Sequence, residues 1–253
     1  MLVDTHAHLD FHDFDEDRED VVSRAVKTGV SGIINPGCDV ATSKNAIHLA
    51  ETHDMIYAAV GIHPNNTAGI EPGDNLIISR LAEHPRVVAV GETGLDFYRD
   101  RSPRDTQIRA FIGHLELAGE RDLPVIIHFR NVEMEGIESV GADRFQGLRG
   151  VFHCFGGSPE FARELVSWGL YIGFDGPVTY KGSDRVEVAR QVPLERCLIE
   201  TDAPYLTPQN FRGKRNEPAF VREVAEKLAE VKKVAVEEVI EVTGQNARDL
   251  FGI

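Results

Sequence analysis

The chain has 253 residues, a net charge of −14 and 42% hydrophobic residues. This composition is typical of a soluble globular protein and excludes a largely disordered one, and the acidic charge argues against general binding of polyanions. Cys38, Cys154 and Cys197 form no CxxC pair, so neither a disulfide framework nor a zinc knuckle is predicted. With no basic, apolar leader and no long apolar run, we expect no signal peptide, no membrane association and a cytoplasmic location.

Short runs rich in β-branched residues recur along the chain and predict eight strands. In chain order they cover residues 2–9, 29–37, 55–64, 86–96, 123–129, 150–155, 170–176 and 196–204. Their apolar residues stand at neighbouring positions, as expected for parallel strands that are buried on both faces.

Amphipathic segments between and after these runs predict helices. They cover residues 16–29, 105–122, 158–169, 217–233 and 235–252. An alternation of eight strands with helices over about 250 residues predicts an α/β fold of the (β/α)8 TIM-barrel type, forming one domain over residues 1–253. The alternative is a doubly wound open sheet, but the glycine-rich first turn of that fold is missing.

Histidines and carboxylates follow the predicted strands, where a TIM barrel carries its catalytic groups. Asp4, His6 and His8 alternate, so they share one face of the first strand. The candidate metal ligands are His6, His8, Glu92, His128, His153 and Asp202. Six ligands exceed what one tetrahedral ion needs, so we predict two divalent ions with Glu92 as the bridge. Nitrogen and oxygen ligands without thiolate suit Mg, Mn or Zn and do not choose among them.

Eight motifs in a fixed order resemble the TatD family of metal-dependent deoxyribonucleases, which are amidohydrolase-like TIM barrels. They are DTHAHLD, VGIHP, VGETGLDFYRD, IIHFR, FHCFGG, IGFDGPVTYK, LIETDAPYL and FRGKRNEP, and they cover essentially the whole chain. The resemblance implies a TIM barrel, divalent metals and phosphodiester hydrolysis, and the family's metal ligands map onto the same six residues. Phe129 stands where the family often has a small polar residue, and we expect it to point away from the metals.

Three residues are predicted to be catalytic: Asp202, Glu92 and His63. Asp202 can ligate one metal and take a proton from the attacking water as general base. His63 can contact the scissile phosphate or the leaving oxygen, or it can be a structural histidine. Glu200 is expected to orient a ligand histidine or to pair with a buried partner, and Asp4 to support the ligands from behind. Asp96 is expected to hold an arginine such as Arg99 or Arg130.

Basic and aromatic residues cluster in the segments after the strands. The predicted substrate-binding residues are His63, Arg130, Tyr180, Lys181, Arg212 and Lys214. The basic side chains can neutralise a polyanion that the whole molecule repels, although a solvated loop has the same composition. The aromatic residues can stack unpaired bases or pack over the barrel, and stacking would favour single-stranded or frayed DNA ends.

We therefore predict a metal-dependent deoxyribonuclease that works from DNA ends as an exonuclease and acts as a monomer. The alternative is hydrolysis of another ester or amide on the same barrel, such as an aminoacyl-tRNA ester or a small phosphoester, because metal-activated water attacks either bond. A non-catalytic metal-stabilised binding protein is a third possibility. It requires metals saturated by protein ligands, whereas about three ligands per ion leave positions open.

Overall fold

The computed structural model describes residues 1–99 and 101–253, and the strands in them form one eight-stranded parallel sheet. The strands are β1 (Leu2–Asp4), β2 (Val30–Pro36), β3 (Ile56–Val60), β4 (Val87–Asp96), β5 (Val125–Arg130), β6 (Gly150–His153), β7 (Tyr171–Phe174) and β8 (Cys197–Ile199). Each strand pairs with the next in chain order. The backbone N–H of His8 donates to the carbonyl of Ala203 (2.8 Å), and Ala7 and Ala203 form a parallel bridge. These contacts join the two ends of the sheet, so the predicted TIM barrel is confirmed.

Helices follow the strands around the outside of the barrel. They are α1 (Arg18–Lys27), α2 (Val40–Thr52), α3 (Asp74–Leu81), α4 (Arg104–Arg121), α5 (Met134–Val140), α6 (Pro159–Ser167), α7 (Arg185–Gln191), α8 (Val221–Lys232) and α9 (Val236–Phe251). The sequence pattern did not single out α2, α3, α5 and α7. Two of these, α5 and α7, have only seven residues, which is too short for a helical period to stand out.

The barrel interior is a packed apolar layer. Its members come from successive strands and from α9: Val3, Ile34, Ala59, Ala89, Ile126, Val151, Leu198, Ala247, Leu250 and Phe251. Because α9 covers the end where the strands begin, this layer forms a floor beneath the opposite mouth. A larger apolar cluster lies between the strands and the outer helices. The polar side chains at the ends of the strands therefore stand on a rigid support.

Several predicted strands extend further than the observed ones. β1 ends at Asp4, β3 at Val60 and β8 at Ile199, so His6, His8, His63 and Asp202 lie just beyond the ladder. The chain turns there: Pro64 begins a 3-10 helix, and Asp202 has a φ of 55°. The alternation expected for His6 and His8 therefore belongs to extended backbone after β1 and not to the strand itself.

None of the helices in the described part of the chain combines the length and the apolar character that a membrane span requires.

Candidate metal centre

Four side chains, from β4 and from the segments that follow β1 and β8, bring one donor atom each to a common point. The Nε2 atoms of His6 and His8 lie 3.2 Å apart. The Oε2 atom of Glu92 lies 3.3 Å from His6 Nε2 and 3.5 Å from His8 Nε2. The Oδ1 atom of Asp202 lies 3.7 and 3.6 Å from the same two nitrogens. These four side chains therefore surround one small volume. We call His6, His8, Glu92 and Asp202 the first donor group.

The other carboxylate oxygen of Glu92 faces a second set of histidines. Glu92 Oε1 lies 2.9 Å from His128 Nδ1, 2.8 Å from His153 Nε2 and 3.4 Å from His63 Nε2. His128 Nδ1 and His153 Nε2 are 3.0 Å apart. We call Glu92, His128, His153 and His63 the second donor group. Glu92 thus turns one oxygen to each group.

The first donor group fits a divalent ion. Ligands that lie about 2.1 Å from a tetrahedral ion are about 3.4 Å from one another. The five distances above within this group run from 3.2 to 3.7 Å. Most of them are too long for strong hydrogen bonds, so mutual hydrogen bonding does not explain the arrangement. The second group is tighter but has the same nitrogen and oxygen donor set, which suits Mg, Mn or Zn.

The ligand histidines are held from behind. The ring of His6 stacks on that of His153 with centroids 4.0 Å apart, and His8 stacks on Phe11 at 4.5 Å. The Nδ1 atom of His8 lies 3.9 Å from the Sγ atom of Cys38. These contacts fix the ring planes and direct the Nε2 atoms inward, as a preorganised site requires.

The carboxylate of Asp96 lies beside the ring of His128, and this differs from the role predicted for that carboxylate. Asp96 Oδ2 lies 3.5 Å from His128 Nε2 and accepts a hydrogen bond from Asn65 Nδ2 (2.9 Å). Asp96 Oδ1 accepts the backbone N–H groups of Tyr98 (3.0 Å) and Arg99 (2.9 Å). The expectation that Asp96 holds an arginine side chain is therefore wrong, since its contact with Arg99 is through the backbone. The charged neighbour of its carboxylate is instead the far nitrogen of a candidate ligand, His128.

Glu200 and Asp4 lie deeper in the barrel and are fully buried. Glu200 accepts hydrogen bonds from the backbone N–H of Cys154 and from Thr5 Oγ1, and its Oε1 lies 4.0 Å from His153 Nδ1. Asp4 accepts from the backbone N–H (2.9 Å) and Oγ1 (2.6 Å) of Thr201. Asp4 thereby joins the end of β1 to the segment after β8, the two segments that carry the first donor group.

Burial and neighbouring charge set the protonation of the donor groups. Burial lowers the pKa values of His6 and His63, which favours the neutral form of both rings. Burial raises the pKa of Glu92, but His153, His63 and His6 outweigh it and hold that pKa well below its usual range. Burial raises the pKa of Asp202 to about 6. Burial lowers the pKa of His128, but Asp96 and Glu92 outweigh it and raise that pKa to about 9, and Cys38 and Glu92 raise the pKa of His8 in the same way. A divalent cation bound there would displace the protons from these two rings, because it requires neutral imidazoles around an ionised carboxylate.

The donor groups lie in a cavity of about 1220 Å³ that opens at the mouth of the barrel. Four arginines line it: Arg99, Arg101, Arg130 and Arg185. Aromatic side chains line it as well, among them Phe11, Tyr98 and Tyr205. Tyr98 and Tyr205 are 64% and 53% exposed, so their rings are open to a ligand. The guanidinium of Arg130 lies 4.4 Å from the centre of the Tyr98 ring. The cavity thus combines cations with exposed rings.

Other residues predicted from the sequence lie outside this cavity. The described residues that line the cavity do not include Tyr180, Lys181, Arg212 or Lys214. Arg212 lies 4.5 Å over the ring of Tyr180, whose hydroxyl donates to the carbonyl of Thr207 (3.0 Å). Lys214 lies 5.5 Å from the ring centre of Phe211. Their role in binding substrate stays a prediction for a segment beyond the cavity.

The contacts of Arg215 differ from those of Arg212 and Lys214. Arg215, which belongs to the same basic loop, pairs with Asp17 (2.7 Å) and stacks on Phe14, so it joins the loop to the start of α1.

Phe129 packs against Phe111 and Phe152 with ring centres 5.8 and 5.0 Å away, on the helix side of β5. It points away from the donor groups, as expected. Asp100, the last residue of VGETGLDFYRD, lies outside the described residues.

Sequence reasoning missed Arg185, Asp175, Asn65 and Cys38. Arg185 is eleven positions beyond the last residue of β7, so a search confined to strand ends does not reach it. Asn65 follows the predicted His63–Pro64 strand end directly, and a search for supporting residues beside each ligand would have found it.

A TIM barrel with two nitrogen and oxygen donor groups around one shared carboxylate has the architecture of a metal-dependent hydrolase. Residues 3–252 match the family model described as TatD related DNase. The chain therefore belongs to the TatD family of metal-dependent hydrolases.

Relatives cover the full length of the chain. It is 43% identical over 254 residues to the uncharacterized metal-dependent hydrolase YabD of Bacillus subtilis, covering 100% of both chains. It is 35% identical to the 3'-5' ssDNA/RNA exonuclease TatD of Salmonella typhimurium, covering 100% of this chain and 99% of the relative. Among solved structures, the TatD homologue YJJV from Escherichia coli superposes with a TM-score of 0.93 at 32% identity, covering 100% of this chain and 98% of the other.

Proposed function

We propose that this protein is an exonuclease that hydrolyses phosphodiester bonds at the ends of single-stranded or frayed DNA with two divalent metal ions. The observation that carries the proposal is that Glu92 turns one oxygen to each of two donor groups on the floor of an arginine-lined cavity. The relative of Salmonella typhimurium named as a 3'-5' ssDNA/RNA exonuclease supports the choice of substrate.

Each donor group would hold one ion. His6, His8, Asp202 and Glu92 would hold the first, and Glu92, His128 and His153 the second. Ions bound there, Mg, Mn or Zn, would supply neutralisation of the phosphate charge and a lowered pKa for the attacking water. The rest of the mechanism falls to side chains of the chain itself.

Asp202 is the proposed general base. Its side chain is 15% exposed, whereas that of Glu92 is 3% exposed, so Asp202 is the more accessible carboxylate from the cavity. Burial raises the pKa of Asp202 to about 6, which brings it closer to neutral pH and makes it a better proton acceptor than an ordinary aspartate. Glu200 does not compete, because it is fully buried and hydrogen-bonded to the backbone N–H of Cys154 below the cavity, and burial raises its pKa well above the usual value.

His63 is the proposed donor to the phosphate or to the leaving oxygen. Its Nδ1 atom accepts the backbone N–H of Asn65 at 3.0 Å. Because burial lowers the pKa of His63, the ring is neutral, and its single proton must then be on Nε2. Nε2 faces Glu92 at 3.4 Å and the cavity, which is the side from which a phosphate would approach.

The form of the cavity favours the end of a strand. The apolar layer beneath the donor groups closes the barrel below, so substrate enters through the mouth alone. Arg99, Arg101 and Arg130 line that mouth with the exposed ring of Tyr98. Cations along the backbone path and an aromatic face for bases are the usual means of binding single strands. Tyr180, Lys181, Arg212 and Lys214 would meet nucleotides further from the scissile bond.

The test is hydrolysis of a single-stranded oligonucleotide labelled at its 3' or 5' end, using metal-stripped protein to which Mg, Mn or Zn is added singly. We expect metal-dependent shortening, and the two labels reveal the direction of digestion. Glu92→Gln should abolish it, whereas Arg163→Gln on the outer face of α6 should not. Metal binding without cleavage of DNA or RNA would refute the nuclease proposal and favour the alternative, hydrolysis of an aminoacyl ester or a small phosphoester.

We also propose that the protein acts as a monomer in the cytoplasm. Size-exclusion chromatography with light scattering should give a mass near 28.0 kDa, and a mass of twice that value would contradict the monomer.

A further inference from the structure

One wall of the cavity carries an ion pair to which the proposed mechanism gives no part. Asp175 follows the last residue of β7 and is fully buried. Its Oδ1 atom pairs with the Nη1 atom of Arg185, the first residue of α7. Neither residue belongs to a donor group, and β7 is the strand between those that lead into His153 and Asp202. The pair therefore fills the wall between the two donor groups on that side.

Arg185 has more donors than the pair uses. A guanidinium has five N–H donors, and the contact with Asp175 is the only hydrogen bond that the side chain of Arg185 makes with the described residues. Its side chain is 20% exposed and lines the cavity with Cys154, Gly156 and Asp202. The unused N–H groups therefore face space that a ligand can enter, while Asp175 restrains the rest of the side chain.

Gly156 borders the guanidinium of Arg185 in the lining of the cavity. A Cβ atom at this position would lie 3.4 Å from Arg185 Nη2, an ordinary van der Waals contact. Because residue 156 has no side chain, the space beside the guanidinium is not filled from this position.

We propose that Arg185, positioned by Asp175, binds a phosphate of the substrate beside the two donor groups. A planar guanidinium with free N–H groups on one edge matches the geometry of phosphate oxygens. Arg185 is already ordered by its buried partner, so binding costs less side-chain entropy than it would for an unrestrained surface arginine. This inference rests on the proposed function for the identity of the substrate, a nucleic-acid strand.

The test measures binding of a fluorescent single-stranded oligonucleotide with phosphorothioate linkages, which keep the charge and resist hydrolysis, to the metal-loaded protein. Arg185→Gln should weaken binding about tenfold or more, as expected for loss of a charge-assisted contact. The slope of log Kd against log salt should become shallower by about 0.7, the value for one phosphate contact to a single strand. In steady-state kinetics, KM should rise more than kcat falls.

Matched variants separate this role from a structural one. Arg163→Gln makes the same charge change at a 53% exposed side chain on α6 that pairs with Glu160, and it should leave both Kd and the salt slope unchanged. Arg185→Lys should keep most of the slope and recover part of the affinity. Because Arg185→Gln leaves Asp175 buried without a partner, the double variant Asp175→Asn/Arg185→Gln removes both charges, and it should bind as weakly as the single variant.

The result that overturns the proposal is Arg185→Gln binding within twofold of the wild type with an unchanged salt slope. If the wild type hydrolyses the oligonucleotide in that case, only the role of Arg185 fails. If the wild type neither binds nor cleaves nucleic acid, the proposed function fails, and inorganic phosphate becomes the probe. Weaker phosphate binding by Arg185→Gln than by Arg163→Gln would then support the role of Arg185, and equal binding would overturn it.

Discussion

Replacement of Asp96 by asparagine tests whether the second donor group binds metal independently of the first. Asp96 Oδ1 accepts the backbone N–H groups of Tyr98 and Arg99, and asparagine keeps an oxygen for these. Asp96 Oδ2 instead faces two donors, Asn65 Nδ2 at 2.9 Å and His128 Nε2 at 3.5 Å. An amide NH₂ group placed there would meet both of them donor to donor.

The expected effect is confined to one metal. Without the carboxylate, the far nitrogen of His128 loses the negative charge that lies 3.5 Å away, and loss of such a supporting contact typically costs 10–100-fold in metal affinity. None of the hydrogen bonds of Asp96 reaches His6, His8 or Asp202, so the first donor group should keep its ion. The metal-free variant should also unfold more easily, by about 1–3 kcal/mol, because buried donors are left unpaired.

Calorimetric titration with Zn or Mn and metal analysis after dialysis measure this effect. We expect two ions per wild-type chain, and one tight ion and one weakened by 10–100-fold in Asp96→Asn. Asp122→Asn is the control, since the side chain of Asp122 is 93% exposed at the C-terminal end of α4 and asparagine tolerates the left-handed backbone of that position. Two equally tight ions in Asp96→Asn, or equal weakening of both, would refute the assignment of Asp96 to His128 alone.

Three further predictions concern a buried histidine, the packing around Glu200 and the bridging role of Glu92. His114 is buried, with Nδ1 donating to the carbonyl of Ala110 (2.7 Å) and Nε2 accepting the N–H of Ile62 (3.1 Å), and burial lowers its pKa. The unfolded state therefore binds the proton more readily, so the free energy of unfolding should fall as the pH drops below about 6.5. In denaturant unfolding, the free energy of unfolding of His114→Gln should depend less steeply on pH than that of the wild type. Gly173→Ala places a Cβ atom 2.6 Å from Glu200 Oε1 and should lower the free energy of unfolding by about 1–3 kcal/mol. The matched variant Gly113→Ala, with open space at its Cβ position within α4, should raise that free energy by up to about 1 kcal/mol. Equal thermal melting temperatures for the two variants would contradict this prediction. Glu92→Gln removes the charge shared by both donor groups and should weaken the binding of both metal ions. Loss of only one ion in metal analysis would show that Glu92 does not bridge the two groups.

The fold and the donor groups were predictable because both depend on repeated local signals. Eight apolar runs predicted the strands, and the polar residues that follow them converge because parallel strands end at the same rim. Glu92 was predicted as the bridge from its place in strand order, and its two oxygens do face different histidines. What the sequence did not reveal were contacts between distant segments, such as Asp96 with His128 and Asp175 with Arg185. These depend on side-chain reach after folding and leave no periodic trace.

The proposed nuclease activity requires an acidic protein to bind a polyanion, and the position of its cations explains how it could do so. The net charge of −14 is a property of the whole surface, but a bound strand senses chiefly the charges within about 10 Å, beyond which salt screens exposed groups. Four arginines line the cavity, and Arg185 is held there by a buried carboxylate. Arg215, equally basic in the sequence, is held by Asp17 at the start of α1. Position and pairing, more than the number of basic residues, therefore determine which cations could contact the proposed substrate.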